Sequence, residues 1–197
     1  MMELHKMGRG EDAVQAVLAV IRSRIAGVDD AVHIGLPGGR SVTPILQALA
    51  GLGRDSLERL HFYLVDERLQ NERNSDALLP ALARIVDRGN IHFPDLSESD
   101  EEVFAAYTGS LPERFDILFF GVGEDGHIAS LFPQSPQLDS KDRTFMVTDA
   151  PKPPEKRVTT TYEMYKGATV VLLFLGDAKR EALKRFFTSD YHDIPAA

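Results

Sequence analysis

The sequence contains no cysteine among its 197 residues. This absence excludes a disulfide scaffold, a metal site built from cysteine thiolates and a cysteine nucleophile. Positive charge is also scarce, since 22 Lys+Arg face 30 Asp+Glu and the formal net charge is -8. A non-specific nucleic-acid binder needs a basic surface, so this balance argues against one. It still permits an anionic small ligand in a local basic pocket.

Long apolar runs are missing as well. The longest, such as 168–175, are too short for a membrane-spanning helix. The first seven residues carry no apolar signal-peptide core. Neither a Gly-x-Ser-x-Gly nucleophile elbow nor a Gly-Lys-Ser/Thr phosphate loop occurs. We therefore expect a soluble, cytoplasmic protein with no membrane or nucleic-acid partner, and the 43% hydrophobic content is enough for a packed core.

Apolar periodicity predicts helices that alternate with short strands along most of the chain. The predicted helices cover 11–26, 42–50, 75–86 with Ser75 as a candidate N-cap, 97–111 and 177–187. The predicted strands cover 31–36, 60–65, 115–120, 143–147, 157–161 and a buried run at 168–175. This alternation predicts an α/β fold with a doubly wound, mostly parallel sheet covered by helices on both faces. Ligands of such sheets bind at the carboxyl ends of the strands.

A glycine-rich turn follows the first predicted strand and leads into a helix. Gly38 and Gly39 allow the backbone to approach an anion, and the helix start offers free N–H groups. Arg40, Ser41 and Thr43 add possible donors. The segment thus predicts a phosphate-binding loop, with an ordinary tight turn as the alternative.

Charged residues also stand at two other strand ends. Asp66-Glu67-Arg68 follows the second predicted strand, and a solvated strand end is the slightly favoured interpretation of these three charges. Lys179 lies in the first turn of the last predicted helix, where a cation opposes the helix dipole. An anionic ligand shared with Arg157 explains its position, and a plain surface lysine is the alternative.

The segment 121–127 follows the clearest buried strand and contains Gly-x-Gly-x-x-Gly. A dinucleotide-binding loop is rejected because Glu124 and Asp125 would repel a pyrophosphate, and prolines at 133 and 136 leave no room for the long helix that must follow. The turn therefore presents Asp125 beside His127, a pairing typical of general acid/base catalysis near neutral pH. A loop histidine in water is the alternative.

Taken in order, these clusters resemble the motifs of the 6-phosphogluconolactonase family, from about residue 32 to residue 187. The matching segments are the glycine loop at 37–44, Asp66-Glu67-Arg68 with Asn74-Ser75, the run 121–133 that ends in Ala-Ser-Leu-Phe-Pro, Arg157-Val158-Thr159 and the stretch 176–179. The run 121–133 is the most specific of them. The resemblance implies the fold shared with glucosamine-6-phosphate deaminases and isomerases.

The resemblance also implies a reaction, the hydrolysis of 6-phospho-D-glucono-1,5-lactone in the oxidative pentose phosphate pathway, without a cofactor or metal. By that similarity His127 is the general base, Asp125 and Asp66 orient or tune it, and Arg68 stabilises the reacting end. The groups expected to hold the substrate phosphate are Gly38, Gly39, Arg40, Ser41, Thr43, Arg157 and Lys179.

Two other functions remain open. Aminosugar-phosphate isomerases and deaminases on the same fold continue from Gly-x-Asp-Gly-His into Asn-Glu-Pro, where the glutamate takes part in the chemistry. Here the segment 130–133 supplies no carboxylate, which favours the lactonase. A non-catalytic sugar-phosphate-binding domain is the second alternative.

The length gives a further expectation. Relatives continue beyond the point where this chain ends, through another helix and a final strand. We therefore expect one domain over 1–197 that lacks this last segment and has an exposed sheet edge. The expected partner is the sugar-phosphate substrate, and the expected state is a monomer or weak homodimer.

Overall fold

The fold combines six α-helices and eight strands in the part of the chain described by the computed structural model, residues 10–94 and 99–197. The helices are α1 (Gly10–Ala26), α2 (Thr43–Leu49), α3 (Arg54–Leu57), α4 (Asn74–Leu82), α5 (Asp100–Ser110) and α6 (Arg180–Phe186). The strands are β1 (Val32–Leu36), β2 (Leu60–Leu64), β3 (Asp66–Arg68), β4 (Ile91–His92), β5 (Ile117–Gly121), β6 (Thr144–Val147), β7 (Arg157–Thr160) and β8 (Thr169–Leu173).

A five-stranded parallel sheet forms the centre, in the order β4-β2-β1-β5-β8. Ile34 of β1 pairs with Phe62 of β2 and with Ile117 of β5. Successive residues of β1, β2 and β5 are buried, so both faces of the sheet are covered, because neighbouring side chains of a strand point to opposite faces. The predicted α/β fold with a parallel sheet is confirmed.

Helix α1 is an amphipathic helix that packs against α2. It buries Val17, Leu18 and Ile21, which recur at helical spacing, as the sequence predicts. No helix within the described ranges is both long enough and apolar enough to cross a membrane.

A second, three-stranded antiparallel sheet has the order β3-β7-β6. In it Asp66 pairs with Thr159 and Arg68 with Arg157. The interpretation of residues 66–68 as a solvated strand end is therefore wrong. The backbone there pairs with β7, and Asp66 and Glu67 are buried because hydrogen bonds satisfy their carboxylates.

Two helix starts differ from the prediction. Helix α4 begins at Asn74, with Arg73 at the N-cap, so the predicted cap at Ser75 is wrong. The buried carboxylate of Glu67 takes over that function by accepting hydrogen bonds from the N–H groups of residues 74 and 75. Helix α5 has a capping box between Ser99 and Glu102, and the predicted start at residue 97 lies outside the described residues.

The sequence predicts a buried strand at 168–175, but β8 lies at the edge of the central sheet and is partly exposed, so this prediction is wrong. Within the described chain β8 pairs with β5 alone, so its outer side has no strand beside it. Val170 is consequently 42% exposed.

Candidate active site

A cleft of about 440 Å³ opens at the carboxyl ends of β1, β5 and β8, beside the antiparallel sheet. Most of the residues singled out in the sequence line it. They are Gly38, Gly39, Arg40, Ser41, Asp66, Arg68, His127, Arg157 and Lys179. The carboxyl ends of parallel strands thus bring together residues far apart along the chain, as the strand-end argument predicts.

His127 and Asp125 form a close pair at the turn after β5. The Nδ1 atom of His127 lies 2.5 Å from Asp125 Oδ1. An ionised carboxylate can only accept a hydrogen bond, so Nδ1 carries a hydrogen and donates a hydrogen bond to Asp125. In a neutral imidazole the free lone pair is then on Nε2. His127 lines the cleft, and its side chain is 20% exposed. Nε2 is therefore the atom able to accept a proton from water.

Gly123 allows this pair to form. A Cβ at this position would lie 2.0 Å from His127 Nδ1 and 2.4 Å from Asp125 Oδ1, so any side chain would occupy the space of the imidazole–carboxylate contact. The main chain of the turn is closed by a hydrogen bond of 2.8 Å from Gly123 N to His127 O. Gly123 is thus required by the contact between His127 and Asp125.

Asp125 also contacts Lys152, a residue that the sequence analysis missed. Lys152 Nζ lies 2.9 Å from Asp125 Oδ2. Burial alone would raise the pKa of Asp125, but the hydrogen bonds and charges of His127 and Lys152 outweigh it and hold this pKa well below its usual range. The proline-rich sequence around Lys152 indicates a loop, and nothing in that sequence places the lysine beside Asp125.

Asp66 lies on the cleft wall and is held by two side chains. Ser130 Oγ donates to its Oδ2 at 2.7 Å. Asn74 Nδ2 donates to the Asp66 carbonyl at 3.0 Å and to Oδ1 at 3.3 Å. Within the described chain none of its hydrogen bonds reaches His127, so direct orientation of His127 by Asp66 is not seen.

Glu67 fixes the main chain beside the cleft through hydrogen bonds. Its fully buried carboxylate accepts hydrogen bonds from the N–H groups of Arg68, Asn74 and Ser75, at 2.7 to 2.8 Å. Burial raises the pKa of Glu67, and these hydrogen bonds oppose that rise. The carboxylate fixes the start of α4 and thereby places Asn74 beside the cleft.

Arg157 is a buried arginine that lines the cleft. Its Nε donates to Pro154 O at 2.9 Å and its Nη2 to Lys152 O at 2.8 Å, and the guanidinium carbon lies 5.5 Å from the ring centroid of Phe132. Among the described residues these bonds leave Nη1 without a hydrogen-bond acceptor. Burial lowers the pKa of Arg157, with Asp66 opposing this shift, yet an arginine remains charged.

The other cations of the cleft are more exposed. Arg68 reaches the main-chain oxygen of Glu72 at 2.9 Å and its carboxylate at 3.2 Å, and its side chain is 27% exposed. Lys179 lines the cleft in the short turn before α6, and Arg40 lines it from the glycine loop. Four cations therefore line the cleft, whereas Asp66 supplies the one carboxylate among the described lining residues. This excess of positive charge suits an anionic ligand.

The glycine loop packs tightly against its neighbours. A Cβ on Gly38 would lie 1.8 Å from Asn74 Oδ1, and a Cβ on Gly121 would lie 2.0 Å from Ser41 Oγ. A short 3-10 turn over Gly39–Val42 then leads into α2. Thr43 is exposed at the start of α2 and does not line the cleft, so the structure does not bring it together with the other predicted phosphate ligands.

Comparison with known proteins agrees with this arrangement. The family model described as glucosamine-6-phosphate isomerases/6-phosphogluconolactonase matches residues 8–197. The chain belongs to this family. A 6-phosphogluconolactonase of Borreliella burgdorferi is 37% identical over 178 residues, which cover 82% of this chain and 75% of the relative. The human 6-phosphogluconolactonase is 31% identical over 195 residues, 88% of this chain and 75% of the relative.

A solved structure of a family member confirms the fold. The crystal structure of 6-phosphogluconolactonase from Thermotoga maritima superposes with a TM-score of 0.84 at 24% identity, covering 98% of this chain and 91% of that one. The resemblance read from the sequence motifs is therefore correct at the level of the family. The roles of the individual site residues rest on the geometry of the cleft.

Proposed function

We propose that this protein hydrolyses 6-phospho-D-glucono-1,5-lactone to 6-phosphogluconate. The observation that carries the proposal is His127, whose Nδ1 bonds to Asp125 and whose Nε2 is left for a water molecule, in a cleft lined by four cations. Two relatives at 37% and 31% identity bear the name of this enzyme.

His127 acts as the general base. Nε2 takes a proton from water while the water oxygen forms a bond to the lactone carbonyl carbon, and the carbonyl becomes an oxyanion. When the intermediate collapses, the bond to the ring oxygen breaks and His127 returns the proton to that oxygen. Asp125 stays ionised throughout and stabilises the imidazolium that forms between these steps. Arg68 supplies positive charge for the oxyanion.

The other three cations of the cleft, Arg40, Arg157 and Lys179, bind the phosphate together with the glycine loop. Arg157 is rigid because three main-chain oxygens of the 152–154 loop accept its hydrogen bonds. Lys179 and Arg40 are less restrained and add charge. Gly38 and Gly39 also line the cleft, and main-chain N–H groups of such a loop suit a phosphate dianion. Binding the remote phosphate fixes the lactone for attack.

The alternative isomerase or deaminase reaction needs an additional carboxylate after the histidine. In this chain the segment that follows carries Ser130, and its hydroxyl is used to hold Asp66. The segment 130–133 contains no acid side chain. The lactonase is therefore the better match to the site.

A direct assay tests the proposal. Freshly prepared 6-phosphogluconolactone is added at neutral pH, the spontaneous hydrolysis is subtracted, and glucosamine 6-phosphate is assayed in parallel. We expect turnover of the lactone alone. His127→Asn is expected to lower kcat by about 10²- to 10⁴-fold, because it removes the base. The matched control is His192→Asn, at a partly exposed histidine that pairs with Asp139 and is not among the residues lining the cleft.

Two results would contradict the proposal: no turnover of the lactone by the folded wild-type protein, or an unchanged kcat in His127→Asn. Turnover of glucosamine 6-phosphate instead would support the isomerase or deaminase. A cytoplasmic location and a monomeric or weakly dimeric state stay predictions, to be checked by cell fractionation and light scattering.

A further inference from the structure

Lys152 and His127 bind the two oxygens of one carboxylate. Asp125 Oδ1 lies 2.5 Å from His127 Nδ1, and Oδ2 lies 2.9 Å from Lys152 Nζ. The imidazole therefore does not face an isolated negative charge. It faces a carboxylate whose charge is partly balanced on its other side.

This balance affects when His127 is free to act as a base. A lone carboxylate at hydrogen-bond distance strongly favours a protonated imidazole, which cannot accept a proton from water. A cation on the far oxygen weakens that effect, since the ammonium repels the imidazolium and attracts the carboxylate. We propose that Lys152 is a positioning residue that acts through Asp125 and keeps His127 unprotonated, and hence catalytically competent, at lower pH. This inference rests on the proposed function of His127.

The loop that carries Lys152 is anchored independently of its side chain. The main-chain oxygens of Lys152, Pro153 and Pro154 all accept hydrogen bonds from the buried guanidinium of Arg157. These bonds fix the backbone of Lys152 near Asp125, and the contact itself is made by a side chain that is 45% exposed. A substitution that removes the ammonium leaves these backbone bonds in place, so the electrostatic role can be tested separately from the structure of the loop.

Other charged groups near His127 are common to the wild type and the variants. Glu124 is exposed in the same turn. The charged side chains that line the cleft with His127 are those of Arg40, Asp66, Arg68, Arg157 and Lys179. A change that follows substitution of Lys152 alone is therefore assigned to Lys152.

The test is the pH profile of kcat/KM in Lys152→Met, Lys152→Arg and Lys156→Met, each at the full length of the chain. Lys156 is the matched control, because it lies in the same loop but pairs with Asp100. In Lys152→Met we expect the acid limb to move up by about half a unit to one unit, with KM within about twofold of wild type. Lys152→Arg and Lys156→Met are expected to keep the wild-type limb.

The inference is overturned if the acid limb of Lys152→Met stays in place, or if Lys156→Met moves it equally. A raised KM with an unmoved limb also overturns it, because Lys152 would then be a substrate contact. The His127 imidazole resonance, followed by NMR against pH, reads the same effect without turnover, and its midpoint should rise in Lys152→Met. If the wild type hydrolyses no lactone, the proposed function fails while this NMR titration still decides the role of Lys152.

Discussion

The hydroxyl of Ser130 donates a hydrogen bond of 2.7 Å to Oδ2 of Asp66. Both residues are buried, Ser130 completely. Ser130 follows His127 by three residues, whereas Asp66 begins β3 of the antiparallel sheet. This bond therefore joins the loop that carries His127 to the antiparallel sheet. The amide of Ser130 adds a second connection, through its hydrogen bond of 3.2 Å to Thr159 Oγ1.

Ser130→Ala should weaken both the fold and the site. The substitution removes the hydroxyl donor from Asp66 Oδ2, and a buried acceptor that loses its partner costs about 1–3 kcal/mol. We expect urea unfolding to show a loss of stability of this size, together with a lower kcat/KM. Ser23→Ala, at an exposed position of α1, is the matched control and should change stability by less than about 0.5 kcal/mol. A wild-type midpoint in Ser130→Ala would show that the bond contributes nothing to stability.

Lys179 and Arg157 should differ in what their removal changes. Lys179→Met removes a partly exposed cation and should raise KM by about tenfold, the effect of losing roughly 1.4 kcal/mol of binding, while kcat and stability stay near wild type. Arg157→Met should raise KM and also lower the melting temperature, because the carbonyl oxygens of the 152–154 loop lose their donor.

Steady-state kinetics and thermal unfolding of both variants check this contrast. Lys184→Met, at an exposed lysine of α6 that pairs with Glu181, is the charge-matched control. An unchanged KM in Lys179→Met would remove this lysine from the phosphate site.

The positions that sequence reasoning found and missed have a common physical explanation. His127 and Asp125 follow a strongly apolar strand, and in a parallel sheet such a strand fixes where its carboxyl end lies. For these two residues, the apolar pattern of the strand and the general topology of parallel sheets are enough to predict their place at the edge of the sheet. The strand at Asp66–Arg68 is different, because its pairing partner, β7, lies far along the chain and nothing in three polar residues indicates the pairing.

Lys152 and Glu67 were missed for the same reason. Each acts through a contact with a residue of another element, Lys152 on Asp125 and Glu67 on the start of α4. Such contacts depend on the tertiary arrangement and leave no local periodicity. Thr43 is the opposite case: its position beside the glycine loop predicts a phosphate ligand, but it lies at the exposed start of α2 and is not among the residues that line the cleft.

The two loop glycines should respond differently to alanine. At Gly38 the backbone is ordinary, with φ of -79°, but a Cβ would lie 1.8 Å from Asn74 Oδ1, so Asn74 must move and its hydrogen bonds to Asp66 break. At Gly39 nothing lies within 4 Å of a Cβ, but φ is +66°. Gly39→Ala should therefore cost only about 1–2 kcal/mol of stability.

Gly38→Ala should lower kcat/KM far more than Gly39→Ala, by about tenfold or more, because it displaces a side chain of the cleft wall. Kinetics and urea unfolding of both variants measure the two effects. Similar kinetics in the two variants would mean that Asn74 shifts without consequence for the site.

A group of aromatic and histidine side chains on the central sheet predicts acid sensitivity of the fold. His33 Nδ1 lies 2.9 Å from the Tyr63 hydroxyl, and His61 Nδ1 lies 2.9 Å from His92 Nε2. Burial lowers the pKa of His33, with Asp116 opposing and His61 adding to the shift. Burial likewise lowers the pKa of His92, helped by the nearby histidines and Arg88.

Both lowered pKa values give the same sign for the pH dependence of stability. The unfolded chain binds protons at His33 and His92 near pH 6.5, whereas the folded chain binds them only at lower pH. Between these values the unfolded state holds more protons, so the free energy of unfolding falls as the pH drops below about 6.5.

Urea unfolding of the wild type at pH 8, 7, 6 and 5 should show this fall. The double variant His33→Gln/His92→Gln should show a flatter dependence, with its difference from wild type at pH 8 giving the cost of the substitutions themselves. Parallel curves for the two proteins would mean that other groups set the acid sensitivity.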